Sequence, residues 1–209
     1  MTEPAASTAL LSSRDGTRLH LRVHECAAPR AALLIVHGLG EHAARYDEFA
    51  AFLATSHAVS TFAVDLRGHG RSAGQRGHTA RLAHFLDDVA AAHDHVAGAL
   101  PAVPVFLLGQ SMGGLVVLRY LQERRPPAAA IICSPWLGTA LPVPLWKRAL
   151  APLAGVLAPR LPFASGIQAE HLSHDVALVQ RYRDDPLVHG RITPGAFRQV
   201  RRSIRDALP

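Results

Sequence analysis

Residues 105–115 read VFLLGQSMGGL. An apolar run stops at a glycine, presents one serine, passes two more glycines and turns apolar again. The first run is short and reads as a strand covered on both faces. The second, LVVLRYLQE (115–123), has helical spacing. The stretch is therefore a strand, a tight turn and a helix, with Ser111 on the turn. Bulky side chains two residues either side of a strained turn would clash, which explains Gly109 and Gly113. Gly114 lets the helix lie close to the neighbouring strand. The turn projects the hydroxyl outward, and the helix aims its free amides and positive end at the same point.

The alternation continues on either side. AALLIV (31–36), AVSTFAV (58–64) and AAAIICS (128–134) are further apolar strands. Tyr46, Phe49, Ala50 and Leu53 recur at helical spacing, as do Leu82, Phe85, Leu86, Val89 and Val96. Strands alternating with helices predict an α/β fold, a mostly parallel sheet with helices on both faces and right-handed crossovers. Ligands then bind beyond the carboxyl ends of the strands. The N-terminus differs. TRLHLRVH (17–24) alternates as a half-buried strand, and Asp15-Gly16 turns it back on STALLSS (7–13) as an antiparallel hairpin.

From Trp136 the rhythm breaks. The stretch to Gly166 is apolar, punctuated by prolines and without a strand signal, and reads as short helices forming a cap. Thr193–Leu208 is amphipathic. Phe197, Val200 and Ile204 form its apolar face; Arg198, Arg201, Arg202 and Arg205 form a solvated basic face. The expected division is core over 1–135, helical cap over 136–200, and the start of a return to the core over 201–209.

The 209 residues are 49% hydrophobic and 18% charged, which suits one globular domain or one domain with an insertion and excludes wholesale disorder. The net charge of +6 has no dense basic block, which argues against a nucleic-acid partner. Cys26 and Cys133 have no metal or redox spacing and read as reduced thiols of a cytoplasmic protein. No basic region followed by an apolar one marks a signal peptide. Prolines and glycines interrupt the uncharged runs 96–118 and 126–146, so neither reads as a membrane span.

A second loop, His37-Gly38-Leu39-Gly40, also ends a buried strand. Its small residues let a backbone amide point into a site. An acyl-transfer site needs two such donors for the developing oxyanion, and the amides of Met112 and Leu39 are the natural pair. The loop lacks both the dinucleotide fingerprint and the P-loop lysine.

Five segments, HGLGEHAARY (37–46), FAVDLRGHGRSAGQRGH (62–78), LLGQSMGGL (107–115), SPWL (134–137) and DDPLVHGRIT (184–193), together resemble the monoacylglycerol lipase and lysophospholipase branch of the α/β-hydrolases, of serine aminopeptidase S33 type. The resemblance runs from about residue 12 to the end. It implies a serine ester hydrolase acting on small single-chain acyl esters, with Ser111 as nucleophile and Leu39 and Met112 as oxyanion donors. It places Glu41 and Arg45 at the polar end of the substrate site, although their i, i+4 spacing also suits a helix-surface ion pair. Asp65, Arg67 and His69 read as structural residues shaping the rim. No cofactor or metal is expected. Trp136, Leu141, Val143, Leu145, Trp146, Leu150, Leu153 and Val156 would line an acyl channel or make peripheral membrane contact.

In this fold the acid and the histidine follow the serine, each after a further strand. No apolar strand follows RRSIRDALP (201–209). Asp184, Asp185 and His189 stand in the right order but too close together, inside the cap-like segment. His171 and His174, beside Asp175, read as solvent-facing rather than metal-binding. The triad acid and histidine are thus expected to be absent from these 209 residues. The chain reads as a C-terminally truncated hydrolase with little activity. A non-catalytic binding protein on the same scaffold, a peptidase and a thioesterase remain alternatives.

Overall fold

The computed structural model describes residues 6–124, 127–138 and 153–208. Strands β1 (Ser7–Ser12) and β2 (Arg18–His24) form the antiparallel hairpin. Gly16 at its turn has φ +80°, and its amide donates to the Ser13 carbonyl at 2.9 Å. The sheet continues with β3 (Ala31–Val36), β4 (Val59–Asp65), β5 (Val105–Gln110) and β6 (Ala129–Cys133), in the order β1-β2-β4-β3-β5-β6. The pairs β3–β4, β3–β5 and β5–β6 are parallel; β2–β4 is antiparallel. Strand order reverses at β3, which lies between β4 and β5, so a crevice opens beyond the ends of β3 and β5. Both glycine-rich loops leave from there. β6 is the edge of the described sheet, with Ile131 half-exposed.

Helix α1 (Asp47–His57) covers one face of the sheet, packing on β4. Helices α2 (Leu82–Ala99) and α3 (Met112–Glu123) contact β3 and β5. Leu34, Val36, Phe62, Val64 and Leu107 meet Leu86, Val89, Val116 and Val117 in the main core. These runs are apolar because both faces are covered.

β2 departs from expectation. Leu19, Leu21 and Val23 face the core, but His20 and His24 on the other side are buried as well. Carboxylates from the adjoining elements cover them. Asp47 takes two bonds from Arg22, at 2.7 and 2.6 Å, and one from His24 Nε2 at 2.9 Å. A polar face buried against carboxylates has the same alternation as one facing water, so the pattern alone misassigns it.

Within the cap, residues 153–157 are helical, and a 3₁₀ turn spans Ala169–His171. Helix α4 spans Val176–Asp184. The stretch read as free of strands contains β7 (Phe163–Ala164), which pairs antiparallel with β8 (Arg191–Ile192). Two residues are too few to show a period. Helix α5 (Pro194–Ala207) starts at Thr193, whose hydroxyl accepts from the Ala196 amide at 3.2 Å. Ala196 and Val200 are buried, and Val200, Ile204 and Ala207 pack with Leu115 and Leu118 of α3. Residue 200, the expected cap boundary, thus lies inside a helix seated on the core along its length. Arg198, Arg201, Arg202 and Arg205 face solvent as read. Among the described residues no helix is long and apolar enough to cross a membrane. Cys26 and Cys133 are free thiols.

Candidate active site

Ser111 has φ 53° and ψ −113°, a positive-φ conformation that costs a residue with a Cβ. Its neighbours over-determine it. The Ser111 amide donates to Cys133 O at 3.0 Å, and its carbonyl accepts from Leu115 at 3.1 Å and Trp136 at 2.9 Å. A Cβ on Gly113 would overlap the carbonyl oxygen of Val36, and one on Gly109 would sit 2.5 Å from the Gly113 oxygen. A Cβ on Gly114 would lie 3.1 Å from Pro135 Cα, just past β6. The glycines are steric requirements of the turn.

Val36 pairs with Gly109, so the loop leaving β3 runs beside the serine turn. At Gly38 a Cβ would come 3.3 Å from that of Ser111. The Gly38 amide is taken by Glu41 Oε1 at 2.7 Å. Among the described residues the amides of Leu39 and Met112 have no acceptor. Both side chains are buried in the core.

Glu41 and Arg45 form an ion pair at 3.3 Å, but Glu41 precedes the 3₁₀ turn Ala43–Tyr46, so this is not a helix-surface pair. Glu41 Oε1 also accepts from the Tyr46 hydroxyl at 3.2 Å. Burial pushes the Tyr46 hydroxyl far above its ordinary value, and the Glu41 charge adds to this, so it stays a donor. The Arg45 guanidinium lies 4.6 Å from the ring centroid of Tyr182 on α4. Tyr46 reads from sequence only as a helix-spacing residue, and nothing around Tyr182 marks it.

Asp65 is a structural acceptor. Its carboxylate takes the amides of Ala43 at 2.7 Å and Arg71 at 2.8 Å, with His20 Nδ1 3.2 Å away. Burial opposes its charge, but these partners hold its pKa at about 2. Arg67 donates to Asp88 of α2 and to Asp15 of the hairpin turn, tying both to the rim. His69 is fully buried; its Nδ1 donates to Arg67 O at 3.0 Å, and its Nε2 has no partner among the described residues.

Asp184, Asp185 and His189 do not converge. Asp184 accepts from Gln180, and Asp185 pairs with His42 Nε2 at 2.7 Å. His189 Nε2 donates to Gly68 O at 3.1 Å, while its backbone amide donates to Gly40 O at 2.9 Å. His37 is held by Gly38 O and the Leu66 amide. The rim histidines are therefore engaged elsewhere, and none of the described residues supplies Ser111 with an imidazole partner. His171 and His174 are exposed. Trp136 packs against Phe197, with ring centroids 6.4 Å apart. Leu141, Val143, Leu145, Trp146 and Leu150 lie outside the described residues.

The segment 185–193 is stitched to both rim loops. Besides the His42 and Gly40 bonds, the Thr193 amide donates to Gly77 O at 3.0 Å, and its hydroxyl pairs with His78 at 2.8 Å. No sequence spacing signals these contacts, because the partners are more than a hundred residues apart.

The family model described as serine aminopeptidase, S33, matches residues 27–209. The chain is 35% identical over 188 residues to the monoacylglycerol lipase of Mycolicibacterium smegmatis, covering 87% of this chain and 64% of that enzyme. It is 33% identical over 181 residues to the monoglyceride lipase of Homo sapiens, covering 85% and 59%. The crystal structure of the Paleococcus ferrophilus monoacylglycerol lipase superposes with a TM-score of 0.76 at 32% identity, covering 90% of this chain and 71% of that one. The chain thus spans less than two thirds of the length of these two curated relatives.

Proposed function

The chain belongs to the serine aminopeptidase S33 family of α/β-hydrolases, and from that premise we propose that Ser111 is the nucleophile of an ester hydrolase acting on monoacylglycerols or similar single-chain acyl esters. The observation that carries the reading is Ser111 held at φ 53° at the head of α3, with Gly38 of the Leu39 loop against it and, among the described residues, no acceptor on the amides of Leu39 and Met112. Ser111 Oγ attacks the ester carbonyl carbon. The carbonyl oxygen gains the negative charge and is held by the two amides. The alcohol leaves with a proton, and water then hydrolyses the acyl-enzyme. Protein groups and water suffice for this chemistry. Glu41 holds the donor loop through the Gly38 amide, and Arg45, paired with Glu41, stacks on Tyr182. A single-chain acyl substrate resides in a bilayer, so peripheral membrane contact through the cap belongs to the reading.

A proton acceptor for Ser111 is missing from the described residues. Removing a triad member leaves roughly 10³–10⁴-fold acceleration over water from the oxyanion donors and binding. The expected behaviour of the 209-residue chain is slow, single-turnover acylation of Ser111. Incubation with a p-nitrophenyl acyl ester, followed by peptide mass spectrometry, should find the acyl group on Ser111 and lose it in Ser111→Ala. Acylation elsewhere, or none, overturns the nucleophile assignment. Fast multiple turnover abolished by Ser111→Ala overturns the single-turnover expectation.

A further inference from the structure

The sheet face that carries Leu33, Phe106, Leu108 and Ile131 lies opposite the one covered by α2 and α3. Helix α1 packs at its β4 side and leaves the β5–β6 side open. The result is a groove of about 430 Å³ walled by Phe49 and Leu53 of α1 and by Leu33, Val59, Phe106 and Ile131 of the strands. Phe52 stands one turn beyond Phe49 on the same helix, and Phe49, Phe52 and Ile131 are 42–52% exposed. Single exposed apolar residues are ordinary; two phenylalanines on a helix beside an open apolar groove are not. From Phe49 to Ser56 this helix carries no charged side chain. The charges stand at its ends. Asp47 and Glu48 open it, and at its close the Arg30 amide donates to Ala58 O at 2.9 Å. Glu48 and Ala58 are about 15 Å apart along the helix axis. Arg30 is exposed and, among the described residues, pairs with no carboxylate, while Glu48 meets Arg181 on the surface at 2.8 Å.

We propose that this face pairs with a second copy of the chain about a two-fold axis, α1 antiparallel to α1, with Phe52 of each copy seated in the groove of the other. The patch is self-complementary. Knob and hole lie side by side on one surface, as a contact made twice by the same residues requires. Charge fixes the arrangement. Antiparallel helices bring the acidic start of one α1 to the end of the other, so Glu48 of each copy faces Arg30 of the other; a parallel meeting would set like charges together. The two helix dipoles then run head to tail as well. A chain of net charge +6 repels its own copies unless the contact itself is neutral, and residues 49–56 meet that condition. Aromatic anchors at the centre with charges on the rim are the make-up of a protein interface. Association needs no Ser111 chemistry, so the proposal stands apart from the hydrolase reading.

The test is sedimentation equilibrium of the whole 209-residue chain over a dilution series. The chain should follow a closed monomer–dimer equilibrium. Phe52→Glu and Ile131→Glu should each raise the dimer dissociation constant on the order of 30-fold, as loss of an interface anchor does. Leu157→Glu, at an exposed leucine of the cap, should leave it unchanged. Reversing one charge, by Glu48→Arg or Arg30→Glu, should weaken the dimer several-fold, and the two reversals together should restore it. Circular dichroism serves as the folding control. Both reversals lie at exposed positions, so they decide the matter should a groove variant misfold. A monomer at every concentration overturns the proposal and leaves a different polypeptide as the occupant of this face. Open-ended association overturns it too, as does a dimer that is indifferent to Phe52→Glu or is not rescued by the double reversal. Each of these failures leaves the hydrolase reading standing, because acylation of Ser111 is measured separately.

Discussion

The His189 backbone amide donates to the carbonyl of Gly40 at 2.9 Å, joining the end of the cap to the loop that carries Leu39. Gly40 has φ +80°, and a Cβ there would overlap the His189 carbonyl oxygen. The proposed oxyanion loop is thus shaped partly by a segment almost 150 residues further along the chain.

Gly40→Ala should be costly on both counts, strained φ and backbone collision. The expected loss is about 2 kcal/mol or more, read from the urea midpoint. A variant as stable as the parent would show that the His189 segment is not seated on this loop.

Ser111→Gly should stabilise the chain while removing the proposed nucleophile. Relief of positive-φ strain, about 1–3 kcal/mol, outweighs the added freedom of glycine in the unfolded chain, about 0.5–1 kcal/mol. Equilibrium unfolding should show a net gain of about 1 kcal/mol. Ser111→Ala keeps the strain and should show no such gain.

Arg67→Met should destabilise by about 3–5 kcal/mol, because it strands the buried carboxylate of Asp88. Adding Asp88→Leu to Arg67→Met should recover much of that loss. Urea unfolding of the two single variants and the double variant measures the coupling; simple additivity would rule out the buried pair as its source.

Stability should fall in two steps on acidification. His69 and His189 sit below the ordinary histidine value of 6.5, mainly through burial. The imidazole of His69 lies between those of His37 and His189, with centroids 5.1 and 4.9 Å away, so protonation would place like charges together. Below about pH 6.5 the unfolded chain binds protons that the folded chain resists, and stability declines from there through the lower folded values. Asp47, Asp65 and Asp185 lie below the ordinary carboxylate value of 3.8, so their stabilisation holds above that pH and fades beneath it. Urea midpoints from about pH 7.5 to about pH 5 should slope downward, and His189→Gln should flatten the slope. A level profile in the parent chain would discount the imidazole cluster.

Much of the fold was legible because it rests on local rules. Continuous apolar runs of six or seven residues become the buried strands β3, β4 and β5, covered by helices. Gly109 and Gly113 signal the serine turn because their steric need arises within a few residues of Ser111. The cap was legible only as an interruption of that rhythm. Its two-residue strands depend on partners far along the chain, whereas the amphipathic period over 193–208 already marked α5. The polar face of β2 was misjudged as solvated for the same reason: Asp47 is invisible from Arg22 and His24 in sequence.

By itself the sequence determined the order of strands and helices, the hairpin, and the one serine presented at a strand end between glycines. Those features follow from periodicity and from φ restrictions acting over a few residues. Only the tertiary structure decided what surrounds that serine. It set Gly38 against Ser111, turned Glu41 from a helix-surface residue into the acceptor of the Gly38 amide, separated Asp185 from His189, and closed the 185–193 segment over both rim loops. The physical reason is that these are hydrogen bonds and steric limits between segments brought together by packing, and packing leaves no period in the chain.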